Sequence, residues 1–127
     1  YDQMNIPKDH QQLMPYLILE NPRDIIRFAS TVFGALPDNE HLRDDGVTIM
    51  HAELKIGGCT IMFAQAGEQW PSQTANLFIY VANADASYAT ALKNGATSLM
   101  EPADQSYGRS CGVKDPSGNT WWITSVQ

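Results

Sequence analysis

Leu19-Glu20-Asn21-Pro22 and, 62 positions later, Val81-Ala82-Asn83-Ala84 are the stretches whose reading decides the fold of this chain. Each closes a short apolar strand and opens a helix. An Asn stands where a helix N-cap belongs, and in the first copy Pro22 takes the first helical position, where a missing N–H costs nothing. After the first stretch, Ile25, Ile26, Ala29, Val32 and Phe33 recur at helical spacing until Gly34 stops the helix, and Asp24 complements its dipole. After the second, a helix is expected from Ala84 to Asn94, ended by Gly95. Gly34-Ala35 matches Gly95-Ala96 at an offset of 61, and Thr60-Ile61-Met62-Phe63 matches Thr120-Trp121-Trp122-Ile123 at 60. A strand–helix–three-strand unit of about 60 residues, used twice, accounts for these offsets.

The remaining elements fill in around the two copies. Leu13 to Leu19 is short, apolar and β-rich. Residues 36 to 46 are polar and hold at most one weak edge strand. Strands are expected at Val47 to Ile56, across a Gly57-Gly58 turn at Cys59 to Ala64, and then at Asn76 to Val81. Residues 65 to 75, with Trp70-Pro71, read as a loop. Thr97 to Glu101, Arg109 to Lys114 and Asn119 to Val126 complete the second unit, the last two joined by the turn Asp115-Pro116-Ser117-Gly118.

The chain has 127 residues, enough to bury roughly two thirds of its unfolded surface. Its composition, 43% apolar and 17% charged, is that of a globular protein. A net charge of −6 leaves no basic stripe for nucleic acid. The acidic balance mildly favours neutral or cationic ligands, although a solubilising surface explains it as well. Cys59 and Cys111 form no metal-ligand spacing and lie in apolar runs, so both are expected as buried, reduced thiols. No apolar run reaches membrane-spanning length and no signal peptide is evident, so a cytoplasmic protein without membrane contact is expected. Residues Tyr1 to Met4 read as a leftover or an unusual start, with Met4 a candidate initiator.

Strand parity separates two faces. Leu17/Leu19, Met50/Ala52/Leu54/Ile56, Cys59/Ile61/Phe63, Leu77/Ile79/Val81 and Trp121/Ile123 form aliphatic sets for the helices to cover. The opposite sets are Met14/Tyr16, His51/Glu53/Lys55, Met62, Asn76/Phe78/Tyr80 and Trp122/Thr124. Aromatic rings interspersed with polar groups, on a face without helices, make a candidate ligand cavity. His51 and Glu53 share one side of a strand. The pair can act in acid–base chemistry, hold an imidazole tautomer or supply two metal ligands, and it can equally be a solvated polar face. Arg109 can clamp an anionic group or simply lie at the surface near a turn.

The duplicated unit, with Phe33-Gly34-Ala35 ending its first helix and Asp115-Pro116-Ser117-Gly118-Asn119 before its last strand, resembles the vicinal oxygen chelate superfamily. That superfamily contains glyoxalase I, extradiol dioxygenases and the bleomycin- and fosfomycin-resistance proteins. The likeness spans about residues 12 to 126. His51-Ala52-Glu53-Leu54-Lys55-Ile56-Gly57 and the segment Glu101 to Arg109 are similar to a small glyoxalase-like subgroup without an assigned reaction. The resemblance implies an α+β fold of two βαβββ modules, about 12–65 and 76–126, in a single domain spanning 1–127. Their curved mixed sheets would enclose a cavity, and the chain would form a homodimer. In the family's metal enzymes four strands each supply one inward ligand. The corresponding positions here are Met14, Glu53, Asn76 and Trp122, and of these only Glu53 is a competent metal ligand.

These residues lead to an expectation and an alternative. The expectation is a bleomycin-resistance-like protein that binds a small molecule without metal or other cofactor, in a cavity lined by Met14, His51, Glu53, Asn76, Tyr80, Arg109 and Trp122. The first, Met14, would form the floor and Arg109 would lie near the mouth, and His51 or Arg109 would partner the Glu53 carboxylate. The alternative is a lyase- or dioxygenase-type enzyme using Glu53 and His51, with or without a divalent metal.

Overall fold

A computed structural model of the chain describes residues 4–127, so the reading of Tyr1 to Met4 falls, for residues 1–3, outside the described residues. The first unit comprises β1 (Tyr16–Leu19), α1 (Pro22–Phe33), β2 (Leu36–Leu42), β3 (Ile49–Ile56) and β4 (Cys59–Gln65). The second repeats the order as β5 (Asn76–Tyr80), α2 (Ala84–Lys93), β6 (Thr97–Gln105), β7 (Gly108–Lys114) and β8 (Thr120–Ser125). Two four-stranded mixed sheets result, ordered β1-β4-β3-β2 and β5-β8-β7-β6. In both, the first strand runs parallel to the last strand of its unit and the remaining pairs are antiparallel. The duplication read from the offsets is thus a duplication of topology.

The helix ends follow from their caps. Gly34 adopts a left-handed φ of 69°, and its N–H returns to the Ala29 carbonyl. The Asn83 side chain accepts the Ala86 N–H at 3.1 Å and so satisfies an otherwise unpaired donor of α2. Asn21 makes no such side-chain bond; there Pro22 removes one donor from the first turn.

The helices bring the units together over one hydrophobic core. Leu17, Leu19, Leu54 and Phe63 of the first sheet pack with Ile25, Phe28 and Ala29 of α1, and the core continues into Val113, Trp121 and Ile123 of the second sheet. Phe33 and Phe28 of α1 lie 4.8 and 6.4 Å from Trp121, centroid to centroid, so two aromatic contacts join the units. The Trp121 indole is fully buried and its N–H must find a partner, which is Asp115 Oδ2 at 2.7 Å. The same carboxylate accepts the backbone N–H groups of Ser117 at 2.8 Å and Asn119 at 2.9 Å. Asp115 therefore fastens the β7–β8 turn to the core.

Several local expectations shift. Met50 is exposed and Ile49 is buried in its place. The β2–β3 pairing slips on both sides of His41, and the slip reverses the face presented at the start of β3. β3 also begins two residues later than Val47, because Asp45 accepts the Val47 and Thr48 N–H groups and holds them in a turn. Cys59 is exposed beside the Gly57-Gly58 turn, whereas Cys111 is buried. Position at a hairpin tip outweighs the apolar character of the run. The weak edge strand within 36–46 is β2, exposed along its whole length, and β6 extends to Gln105, beyond the expected Glu101. No helix among the described residues is long and apolar enough to cross a membrane.

Candidate functional site

The most organised polar cluster centres on Glu53, whose side chain emerges between Ala52 and Leu54. Both neighbours enter the helix-covered core, so the carboxylate is turned to the other face of the sheet. It is nevertheless only 3% exposed. Two pieces of chain cover it. From the segment before β1, His10 Nε2 lies 2.9 Å from Oε1, and from β2 the Asn39 amide donates to the same oxygen at 3.0 Å. On β3 itself, His51 Nε2 lies 2.8 Å from Oε2.

Burial alone would raise the carboxyl pKa. The hydrogen bonds from His51, His10 and Asn39 outweigh that cost and bring it down from the ordinary 4.5 to about 2. At neutral pH Glu53 is ionised and accepts only, so both imidazoles must donate from Nε2. In a neutral His51 this leaves Nδ1 as the free acceptor. His51 is flanked by Tyr16 and His41, with ring centroids 6.4 and 6.3 Å away.

The other expected site residues fall into separate places. Trp122 donates from its indole N–H to Asn76 Oδ1 at 3.3 Å, and its ring packs against Gly112 of the neighbouring strand. A Cβ at Gly112 would meet that ring at 2.4 Å, so only glycine permits this placement. Phe78 meets Tyr80 edge-on, with ring centroids 5.3 Å apart, and Tyr107 in a tilted contact at 6.3 Å. Tyr80 also lines an apolar groove of about 750 Å³ with Leu13, Phe33, Ile56, Ile61 and Phe78. The Met14 sulfur accepts the Gln11 N–H at 3.4 Å within the segment before β1. Arg109 is held by Asp85 through two contacts of 3.1 Å and by Asp104 at 3.3 Å, and so is not the partner of Glu53. Among the described residues, no hydrogen bond or ion pair links the Glu53 cluster to Trp122–Asn76 or to Arg109.

His10 and Asn39 have no counterpart in the sequence reading. Asp9-His10-Gln11 lies ahead of the first strand with no periodicity, and Asn39 is in the segment that read as polar and at most weakly structured. The one available signal was the need of a buried carboxylate for several donors.

The four positions that the resemblance marks as metal ligands are poorly suited to a divalent ion here. Glu53 has donors on both oxygens, Trp122 and Asn76 are bonded to each other, and Met14 offers only a thioether. Among the described residues no group of three His, Cys, Asp or Glu side chains is arranged to hold a metal.

Comparison with known proteins agrees with this architecture. The model of the Glyoxalase/Bleomycin resistance protein/Dioxygenase superfamily matches residues 13–123, and the chain belongs to that superfamily. An uncharacterized protein of Mycobacterium bovis is 29% identical over 121 residues, covering 86% of this chain and 79% of that one. Among solved structures, TioX from Micromonospora superposes with a TM-score of 0.70 at 22% identity, covering 92% of this chain and 97% of TioX. A glyoxalase-related enzyme from Fulvimarina pelagi gives 0.65 at 17% identity, covering 91% and 89%. At these identities the structural likeness concerns the fold.

Proposed function

We propose that this protein binds a small organic molecule without a metal, in an aromatic-lined cavity completed by a second copy of the chain. The observation that carries the reading is the face of the second sheet opposite Leu77, Ile79 and Val81, which pack against the core. Phe78 and Tyr80 stand about half or more exposed there, at 51% and 69%, and Trp122 packs against a glycine that fits it. Large rings left open to water, with one polar anchor in Asn76, are the composition of a ligand wall. The two unpaired cysteines suit a reducing compartment such as the cytoplasm.

The test is tryptophan fluorescence during titration with a panel of planar aromatic compounds. Saturable quenching that is lost in Trp122→Ala and in Gly112→Val supports the reading. Quenching unchanged in both variants removes the proposed wall.

A second reading is favoured by the orientation of His51. A carboxylate that fixes Nε2–H leaves Nδ1 ready to take a proton, so an enzyme built on this chain would use His51 as base and Glu53 to position it. Under that reading Glu53→Ala abolishes turnover. Under the binding reading there is no turnover to lose, and the change is read in affinity alone.

A further inference from the structure

The segment that buries Glu53 is fastened in an unusual way. Residues 9–14 cross the first sheet and are tied by polar contacts. Asp9 meets Lys55 Nζ at 2.7 Å, and the Thr60 hydroxyl donates to the Asp9 carbonyl at 2.5 Å. Gln11 donates from its amide to the Thr60 carbonyl at 2.7 Å and accepts the Thr60 N–H at 3.3 Å. Its apolar residues contribute little, since Leu13 is exposed, as are Met4 and Ile6 further upstream. A strap held this way loses little apolar burial when it lifts, and its ion pair to Lys55 is exposed and individually weak, while the bonds to Thr60 are partly buried.

The charge beneath it is also unusual. Glu53 is buried and ionised, yet no Lys or Arg lies within ion-pair distance among the described residues. Nearby Lys55 is engaged by Asp9 and, at 3.7 Å, by Asp38. Two imidazoles and one amide supply N–H donors, but no permanent positive charge. A buried carboxylate is better served by a cationic donor, and by one presenting two N–H groups above all.

We propose that Glu53 is the anchor for a cationic nitrogen group of the ligand, of the amidinium or guanidinium class, and that His10 is a latch which this group displaces as residues 9–14 lift. Oε1 accepts N–H donors from His10 and Asn39, and when His10 leaves, a planar cation can take its place beside Asn39 with a charge added. The proposal rests on the small-molecule reading above and specifies its ligand.

The experiment compares benzamidinium with benzamide, which share a ring and differ in charge, by calorimetry at neutral pH. The expected result is at least tenfold tighter binding of benzamidinium, a preference that Glu53→Gln erases. His10→Ala should tighten benzamidinium several-fold by removing the competitor. Gln11→Ala, which loosens the strap without touching Glu53, should act in the same direction, with unchanged circular dichroism showing that both variants fold. Weaker binding in His10→Ala and Gln11→Ala overturns the latch. Equal binding of the two probes to the unmodified protein overturns the cation anchor and leaves the cavity reading standing. Binding of neither probe, together with no saturable quenching by planar aromatic compounds, overturns both.

Discussion

Glu53 shows at the level of one residue how environment decides chemistry. A carboxylate on a strand has an ordinary pKa near 4.5 when solvated, and here three N–H donors hold it at about 2. A depressed folded-state value stabilises the fold above the unfolded pKa, and that stabilisation is lost as the pH falls through the folded value. The window is therefore about pH 5 down to pH 2. The shift corresponds to about 3 kcal/mol at neutral pH as an order of magnitude. Glu53→Gln should accordingly be less stable than the unmodified protein at pH 7, and the difference should shrink between pH 5 and pH 2. Urea denaturation at four pH values checks this; a constant difference would show that the carboxylate charge is not what stabilises the cluster. Strand parity was enough to set His51 and Glu53 on one side of β3. It could not show that Glu53 is buried, because the covering residues, His10 and Asn39, lie in segments without periodicity and their contacts span 43 and 14 positions.

Among the elements, the turns and caps carry the most legible information. Asn21-Pro22, Gly34, Asn83 and the Asp115-Pro116-Ser117-Gly118 turn stand where local backbone chemistry puts them, and they were readable because each acts within a few residues. The β2–β3 slip at His41 was not readable, since a bulge depends on the partner strand and leaves no local signal. It moves Ile49 into the core and Met50 out of it. Asp115 gives the element-scale prediction. It satisfies the indole of fully buried Trp121 and two backbone N–H groups at once, so Asp115→Ala should cost about 2–4 kcal/mol by orphaning those donors. Urea denaturation with an unchanged m-value checks it, and a loss below about 0.5 kcal/mol, the level of an ordinary surface substitution, would contradict it.

For the whole molecule, the two sheets share a topology and differ in how their first strands are protected. The edge of β1 is covered by Gln73, whose backbone pairs with Ile18 through bonds of 2.8 and 3.1 Å. The edge of β5 has no comparable cover among the described residues, and the apolar groove beside it holds Leu13, Phe78 and Tyr80. An open edge beside an exposed apolar patch fits a second copy of the chain. Sedimentation at micromolar concentration should give twice 14.1 kDa, and Phe78→Glu should shift it toward the single chain. A single-chain mass for the unmodified protein would count against a shared cavity. The fold at this scale was legible because a duplication leaves repeated offsets in the sequence. The arrangement of the site was less so, because parity assigns a face to each strand but does not place one module's face against the other's.

The central proposal is that this member of the superfamily binds a small molecule without metal. Calorimetric titration of the purified chain with zinc, nickel, manganese and ferrous ions tests it most directly. The account predicts no stoichiometric binding tighter than roughly micromolar, about −8 kcal/mol. One tight site per chain, abolished by Glu53→Gln, would contradict it and leave the enzyme reading in its place.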